Sequence, residues 1–232
     1  MRLLVTRPVD EAARTAARLT ALGHEPVLAP VLDIAPTGAV APAGPFDLVI
    51  ATSARALLPS YTVEAPLVCV GEKTAAAGRR AGFSVAATAP DAERLADALL
   101  KDASPRTALY LAGQERRADL ETRLRAAGWR VDLVEVYAAR PVAAWPRDIM
   151  SALAEGGIDG ILHYSPRSAE LAAKLTGEMW PRLAHFCLSP AVARICARCA
   201  GAITIFTASQ PTEECLMTLI GEHRASLGVK TT

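Results

Sequence analysis

LLVTRPVDEAARTAARLTALGHEPVLAPVLDIAP, residues Leu3–Pro36, and ALYLAGQERRADLETRLRAAGWRVDLVEVYAARP, residues Ala108–Pro141, are two versions of one pattern. Gly23 and Gly128 stand 105 positions apart, and so do Pro36 and Pro141. Working outward, DLVIATSARAL at Asp47–Leu57 returns as DGILHYSPRSAEL at Asp159–Leu171. VCVGEKTAAAGRRAGFSVAAT at Val68–Thr88 returns as FCLSPAVARICARCAGAITIFTA at Phe186–Ala208, and APDAERLADALL at Ala89–Leu100 as SQPTEECLMTLI at Ser209–Ile220. Solenoid units have periods of roughly 20–50 residues, so a repeat this long reads as a duplicated domain. Two similar domains predict a cleft between them, a common place for a small-molecule site.

Inside each copy, short apolar runs alternate with helical spacing. Strands are expected at Leu3–Thr6, Pro26–Ala29, Leu48–Ala51, Leu67–Val70, Ser84–Ala87, Ala108–Leu111, Arg130–Val134, Gly160–His163, His185–Leu188 and Ala202–Phe206. Continuous apolar runs are how strands buried on both faces read. Helical faces are expected in Glu11–Leu22 (Ala12, Ala16, Leu19, Leu22) and Arg117–Ala127 (Leu120, Leu124, Ala127). Each ends at a glycine, the residue that most readily takes the left-handed C′ position. Gly82, Gly177 and Gly201 are expected to close other helices in the same way. Alternating strand and helix predicts an α/β fold with doubly wound parallel sheets, and five strands per copy is the flavodoxin-like count. The proline-rich stretches Ala35–Pro45 and Ala138–Pro146 read as extended crossings between the copies, and Leu227–Thr232 as a disordered tail.

With 232 residues the chain can hold two small cores. A formal net charge of +1 lacks the basic excess of a duplex-binding surface, so no nucleic-acid partner is expected. No apolar run is long enough to span a membrane, and MRLLVTRPVDE has no signal-peptide core, which predicts a cytoplasmic location. The cations are 21 Arg and 4 Lys. GC-rich coding accounts for this as well as Arg forks for carboxylate or phosphate do. Five cysteines in no framework spacing predict no disulfides, and the CARC at Cys196–Cys199 falls inside a helix, where small apolar side chains suit it.

In open α/β sheets ligands sit beyond the C-terminal ends of the strands. The loops expected there carry Thr6-Arg7-Pro8, Ala51-Thr52-Ser53, Gly71-Glu72-Lys73-Thr74, Leu111-Ala112-Gly113-Gln114-Glu115-Arg116, His163-Tyr164-Ser165-Pro166 and Leu188-Ser189-Pro190. Hydroxyls at helix starts are ordinary N-caps; as a set, with helix dipoles behind them, they also suit an anion. There is no GxGxxG, no GxxxxGK[ST], no GxSxG and no metal-ligand spacing, so neither cofactor nor metal is expected.

The ordered motifs VTRP, DLVIATSARAL, VCVGEKTA, LYLAGQERR, VEVYAARP, DGILHYSPRSA, LSPAVA and TASQPT together resemble the uroporphyrinogen-III synthase family over nearly the whole chain. The resemblance implies two flavodoxin-like domains joined by a two-stranded β-ladder. Domain one is then discontinuous, residues 1–34 plus 145–232, and domain two is 36–138, with connectors near 33–43 and 136–145. It implies a monomer that cyclises hydroxymethylbilane, with loss of water and inversion of the terminal pyrrole, and needs no cofactor. Tyr137 of VEVYAARP matches the family's candidate for assisting hydroxide departure. Thr52, Ser53, Thr74 and Ser165 match its loop hydroxyls, and Arg7 and Arg116 match loop positions able to reach carboxylates. Two departures stand out. Ser189-Pro190-Ala191-Val192-Ala193 lacks the family's threonine, and His163-Tyr164-Ser165 replaces its second hydroxyl loop, so His163 and Ser189 join the substrate-binding candidates in altered form. The second reading is a non-catalytic two-domain module that binds or senses a tetrapyrrole or another polyanion.

Overall fold

The first repeat copy builds three elements: β1 (Arg2–Val5), α1 (Val9–Ala21) and β2 (Glu25–Leu28). Next come β3 (Leu32–Pro36), β4 (Leu48–Ala51), β5 (Leu67–Val70), α2 (Glu72–Arg80), β6 (Val85–Ala89), α3 (Ala92–Leu100), β7 (Thr107–Gly113), α4 (Asp119–Ala126) and β8 (Arg130–Pro141). The remainder is α5 (Arg147–Ala154), β9 (Gly160–His163), α6 (Pro166–Thr176), β10 (Ala184–Cys187), α7 (Pro190–Ala200), β11 (Thr204–Thr207) and α8 (Glu213–Leu227). The computed structural model describes residues 1–58, 63–101, 104–200 and 204–227. Gly201, the first residues of the strand expected at Ala202–Phe206, and the tail from 228 onward lie outside them; Leu227 is the last residue of α8.

The chain divides into unit one, Met1–Asp33 with Arg140–Thr232, and unit two, Ile34–Ala139. Unit one holds a five-stranded sheet in the order β11-β10-β9-β1-β2, with every described pairing parallel. Leu3, Leu4 and Val5 of β1 have no exposed surface. Leu3 and Val5 face the layer of Leu19, Leu162, Phe186 and Leu216, whereas Leu4 faces Ile161, Trp180 and Cys187. Both faces are thus covered, which is why β1 is an unbroken apolar run. Thr6 ties the end of β1 to β9 by donating to the Leu162 carbonyl at 2.7 Å.

The sheet of unit two has the order β3-β8-β7-β4-β5-β6, and β4 through β8 pair in parallel. Alternate residues separate its two core layers. Val49, Ala51, Leu109, Leu111, Val134 and Val136 point to one; Leu48, Ile50, Ala108, Tyr110 and Val131 point to the other. The result is a mixed α/β fold with parallel sheets.

The two copies of the repeat part company at one residue. Pro30 stands where the second copy has Glu135, 105 positions on. Proline offers no N–H to a ladder. The first copy therefore breaks into β2 and β3, whereas β8 runs unbroken from Arg130 to Pro141. β3 and β8 lie side by side in opposite directions: the Thr37 amide donates to the Val136 carbonyl, and the Val142 amide to that of Val31, both at 3.1 Å. Where both copies keep a helix, both stop it with a left-handed glycine, Gly23 at φ 75° and Gly128 at φ 84°.

Candidate functional site

In unit two, the loops after β4 and β7 and the neighbouring part of strand β8 hold the densest set of expected site residues. β7 and β8 run in register from Thr107 beside Arg130 to Ala112 beside Glu135; then the register slips, and Gly113 lies beside Tyr137. Val136 is the extra residue. A one-residue slip exchanges the faces of a strand, and bulges of this kind re-aim side chains. Here Val136 stays fully buried, while Tyr137 swings over Gly113 with part of its ring exposed. A Cβ built on Gly113 would lie 2.5 Å from Cζ, 2.6 Å from Cε2 and 2.7 Å from the hydroxyl oxygen of Tyr137. Only a glycine lets the ring lie there. The Gln114 amide donates to the Tyr137 carbonyl at 2.9 Å and fixes the backbone on either side.

Arg116 holds this corner together. Its Nη1 donates to Glu135 at 2.7 Å and to the Gly113 carbonyl at 3.3 Å, and its Nη2 to Glu121 at 3.2 Å. Glu121 is 6% exposed, so this pair is shielded from water. The two carboxylates hold the guanidinium in its charged form by more than its partial burial opposes it. Beneath it lies the Tyr110 phenol, 2% exposed and 3.2 Å from the Thr52 hydroxyl. Burial pushes the Tyr110 phenol up; the Thr52 hydrogen bond and the Arg116 charge oppose that. Ser53, next to Thr52, caps the short helical turn Ala54–Ala56 by accepting from the Arg55 amide at 3.3 Å. Thr74 is buried at the third position of α2, whose start is the left-handed Gly71.

In unit one, Arg7 lies with its guanidinium carbon 4.3 Å from the ring centre of Tyr164 and donates to Glu213 at 3.2 Å. Thr15 also donates to Glu213, and the Tyr164 hydroxyl donates to Thr15 at 3.4 Å. Ser165 caps α6 in a reciprocal capping box with Ser168, and Ser189 accepts from the Val192 amide at the start of α7. His163 is fully buried, against Trp180 and His185. It ends a strand as expected, but on the face that α7 covers, so its ring belongs to the interior.

Tyr110, Glu121 and Glu135 in unit two and Thr15 and Glu213 in unit one escaped the sequence reading, and Gly113 stood in an expected loop without a role. Gly113 alone left a trace, since a glycine ending an apolar strand often marks a close approach. Glu121 and Glu135 look like solvated charges until Arg116 folds between them.

The Tyr164 phenol gives a pH-dependent expectation. Burial, above all, raises it to about 12 from its ordinary 10. The folded state therefore holds the proton more tightly than the unfolded state. Stability is unaffected below pH 10 and falls between pH 10 and 12, by on the order of 2 kcal/mol. Denaturant unfolding across that window should show a smaller loss for Tyr164→Phe than for the parent. Equal losses would assign the alkaline transition to other groups.

The family model described as uroporphyrinogen-III synthase HemD matches residues 13–218. No curated protein sequence matches the chain. Among solved structures, the uroporphyrinogen-III synthetase of Helicobacter pylori 26695 is similar at 17% identity and a TM-score of 0.59, covering 98% of this chain and 100% of that one. A mutant uroporphyrinogen III synthase of Thermus thermophilus is similar at 17% identity and a TM-score of 0.50, covering 99% and 100%. At such identities the two structures show a common fold.

Proposed function

The chain belongs to the uroporphyrinogen-III synthase family, and from that premise we propose that the loops after β4 and β7, with strand β8 beside them, carry its chemistry, with Tyr137 as the catalytic residue. The reaction is that of a cyclising lyase of haem biosynthesis: hydroxymethylbilane loses the elements of water and closes with its last pyrrole inverted. The observation that carries the site assignment is the double aiming of Tyr137, by the Val136 bulge and by the missing side chain of Gly113.

Loss of the terminal hydroxyl leaves an azafulvene cation that is itself a strong electrophile. A phenol beside that hydroxyl can donate a hydrogen bond as the oxygen departs, without bringing a charge. The remaining task is positioning, so that the substituted carbon of the last ring attacks rather than the free one. The substrate carries eight carboxylates, which suit helix starts and arginines. Thr52, Ser53 and Thr74 sit at such starts in unit two, and Arg7, Ser165 and Ser189 near those of unit one. Arg116 fixes the Tyr137 corner through Glu135 and the Gly113 carbonyl, its charge already balanced by Glu121 and Glu135. We assign each unit the flavodoxin-like order 2-1-3-4-5, taking β7 and β8 as the first two strands of unit two; the order of neighbours in each sheet supports this. With its net charge of +1 and no membrane-length helix among the described residues, the chain acts in this reading as a cytoplasmic monomer without nucleic acid.

Product analysis is the test. Supplied with hydroxymethylbilane, the protein should yield the ring-inverted type III isomer. Only the spontaneous type I isomer would remove the catalytic assignment.

A further inference from the structure

We propose that unit one holds a buried site for one thiophilic cation, zinc(II) by its donor chemistry, formed by His163, His185 and Cys196. The three side chains come from the end of β9, the second residue of β10 and the middle of α7, and none has exposed surface. One ligating atom from each lies within 4.8 Å of the other two. The convergence follows from register. β9 and β10 pair in parallel with His163 beside Cys187, and His185 precedes Cys187 by two residues. All three therefore point to one face of the sheet. That face packs against α7, which brings in Cys196 with its sulfur 3.6 Å from that of Cys187.

The donor set and its spacing both fit. Two imidazoles and a thiolate are zinc ligands by type, at about 2.0–2.1 Å from nitrogen and about 2.3 Å from sulfur. In a tetrahedron those lengths put neighbouring ligand atoms roughly 3.3–3.8 Å apart. Nε2 of His163 and Nδ1 of His185 are 3.0 Å apart, a few tenths short of that.

The surroundings fit as well. His185 Nε2 lies 3.0 Å from the Trp180 carbonyl, which can only accept. The proton of a neutral His185 is therefore on Nε2, and the Nδ1 lone pair faces inward. Metal-bound histidines are commonly oriented by this kind of hydrogen bond to a backbone carbonyl. His163 Nε2 then donates to that lone pair, and its Nδ1, buried without a hydrogen-bond partner, is free to take the proton instead. When the ion enters, the proton between the rings moves to His163 Nδ1, and the Cys196 thiol proton leaves for solvent. The balance is one proton released per ion. None of these residues is in the Tyr137 corner of unit two, so the ion is structural: it ties β9, β10 and α7 together.

Cobalt(II) is the probe, because a cobalt–thiolate bond absorbs by charge transfer and a cobalt–imidazole bond does not do so comparably. The full-length protein, freed of metal by a chelator, should develop the thiolate band to saturation at one equivalent of cobalt(II), with release of at least one proton. One equivalent of zinc(II) should abolish the band and raise the melting temperature. Cys196→Ser should lose the band and the zinc-dependent rise in melting temperature, yet still make type III product at the parent rate. Cys199→Ser, which removes an exposed thiol three positions away, should keep both. No band in the unaltered protein overturns the proposal, whether or not the serine variant folds. So does a band that survives Cys196→Ser or disappears in Cys199→Ser, since the cobalt would then sit on another thiol.

Discussion

Gly113→Ala should cost the enzyme most of its turnover, about a hundredfold or more, and destabilise it by about 1–3 kcal/mol. The cause is one contact. The new methyl carbon would start 2.5 Å from the Tyr137 ring, closer than real Cβ contacts come, so the ring must leave. Gly113 does not have a left-handed φ, so alanine strains no backbone there. Alanine even gains a few tenths to about 1 kcal/mol by restricting the unfolded chain, which the clash has to exceed. A double-mutant cycle isolates the contact. In a Tyr137→Ala background the space beside Gly113 is empty, and the added methyl should cost less than about 0.5 kcal/mol. An equal cost in both backgrounds would mean that the ring is not what alanine meets. Normal turnover in Gly113→Ala would mean that the exact place of the ring does not matter.

Tyr137→Phe keeps the ring where it is and removes only the hydroxyl. Turnover should fall roughly ten- to a hundred-fold, about 1.4–2.7 kcal/mol of barrier. The drop is limited because the azafulvene forms readily without help, so donation of a hydrogen bond supplies the smaller share. KM should change little, unfolding should be unaltered, and the product should remain type III. Steady-state rates with isomer analysis decide it. Full activity would reduce Tyr137 to a wall of the site, and a switch to type I would make it a positioning residue instead. The two variants also separate from each other: Gly113→Ala moves the phenol and should disturb both KM and isomer ratio, whereas Tyr137→Phe should not.

The strands were legible because they are apolar on both faces: Leu48–Ala51, Leu67–Val70 and Gly160–His163 fall where the runs VIA, LVCV and GILH placed them. Gly23 and Gly128 marked helix ends because a backbone angle demanded them. The apolar pattern ended β8 at Val134; only the extended reading of Ala138–Pro146 and the ladder implied by the resemblance pointed beyond it. The Val136 bulge was equally silent: it exists only in the offset between two strands. The hydroxyl loops could be found but not weighed, because Ser53, Ser165 and Ser189 each also cap a helix. The His163–His185–Cys196 cluster lies beyond any spacing rule. Its members are near neighbours only after β9 and β10 align and α7 folds back, and sequence separation alone carries no trace of that.

The insertion of unit two inside unit one has a consequence for synthesis. Ile34–Ala139 is one uninterrupted stretch, so its sheet can close as soon as β8 has left the ribosome. Unit one has to wait. β1 is flanked by β2, which follows at once, and by β9, which begins only at Gly160. At about 5–20 residues per second, that leaves one edge of Leu3-Leu4-Val5 open for roughly 8–30 s. An apolar strand with a free edge for that long is a target for chaperones and a seed for aggregation. The segment translated first, Met1–Asp33, thus belongs to the unit that folds last, and slow translation across the middle of the message would burden unit one rather than unit two.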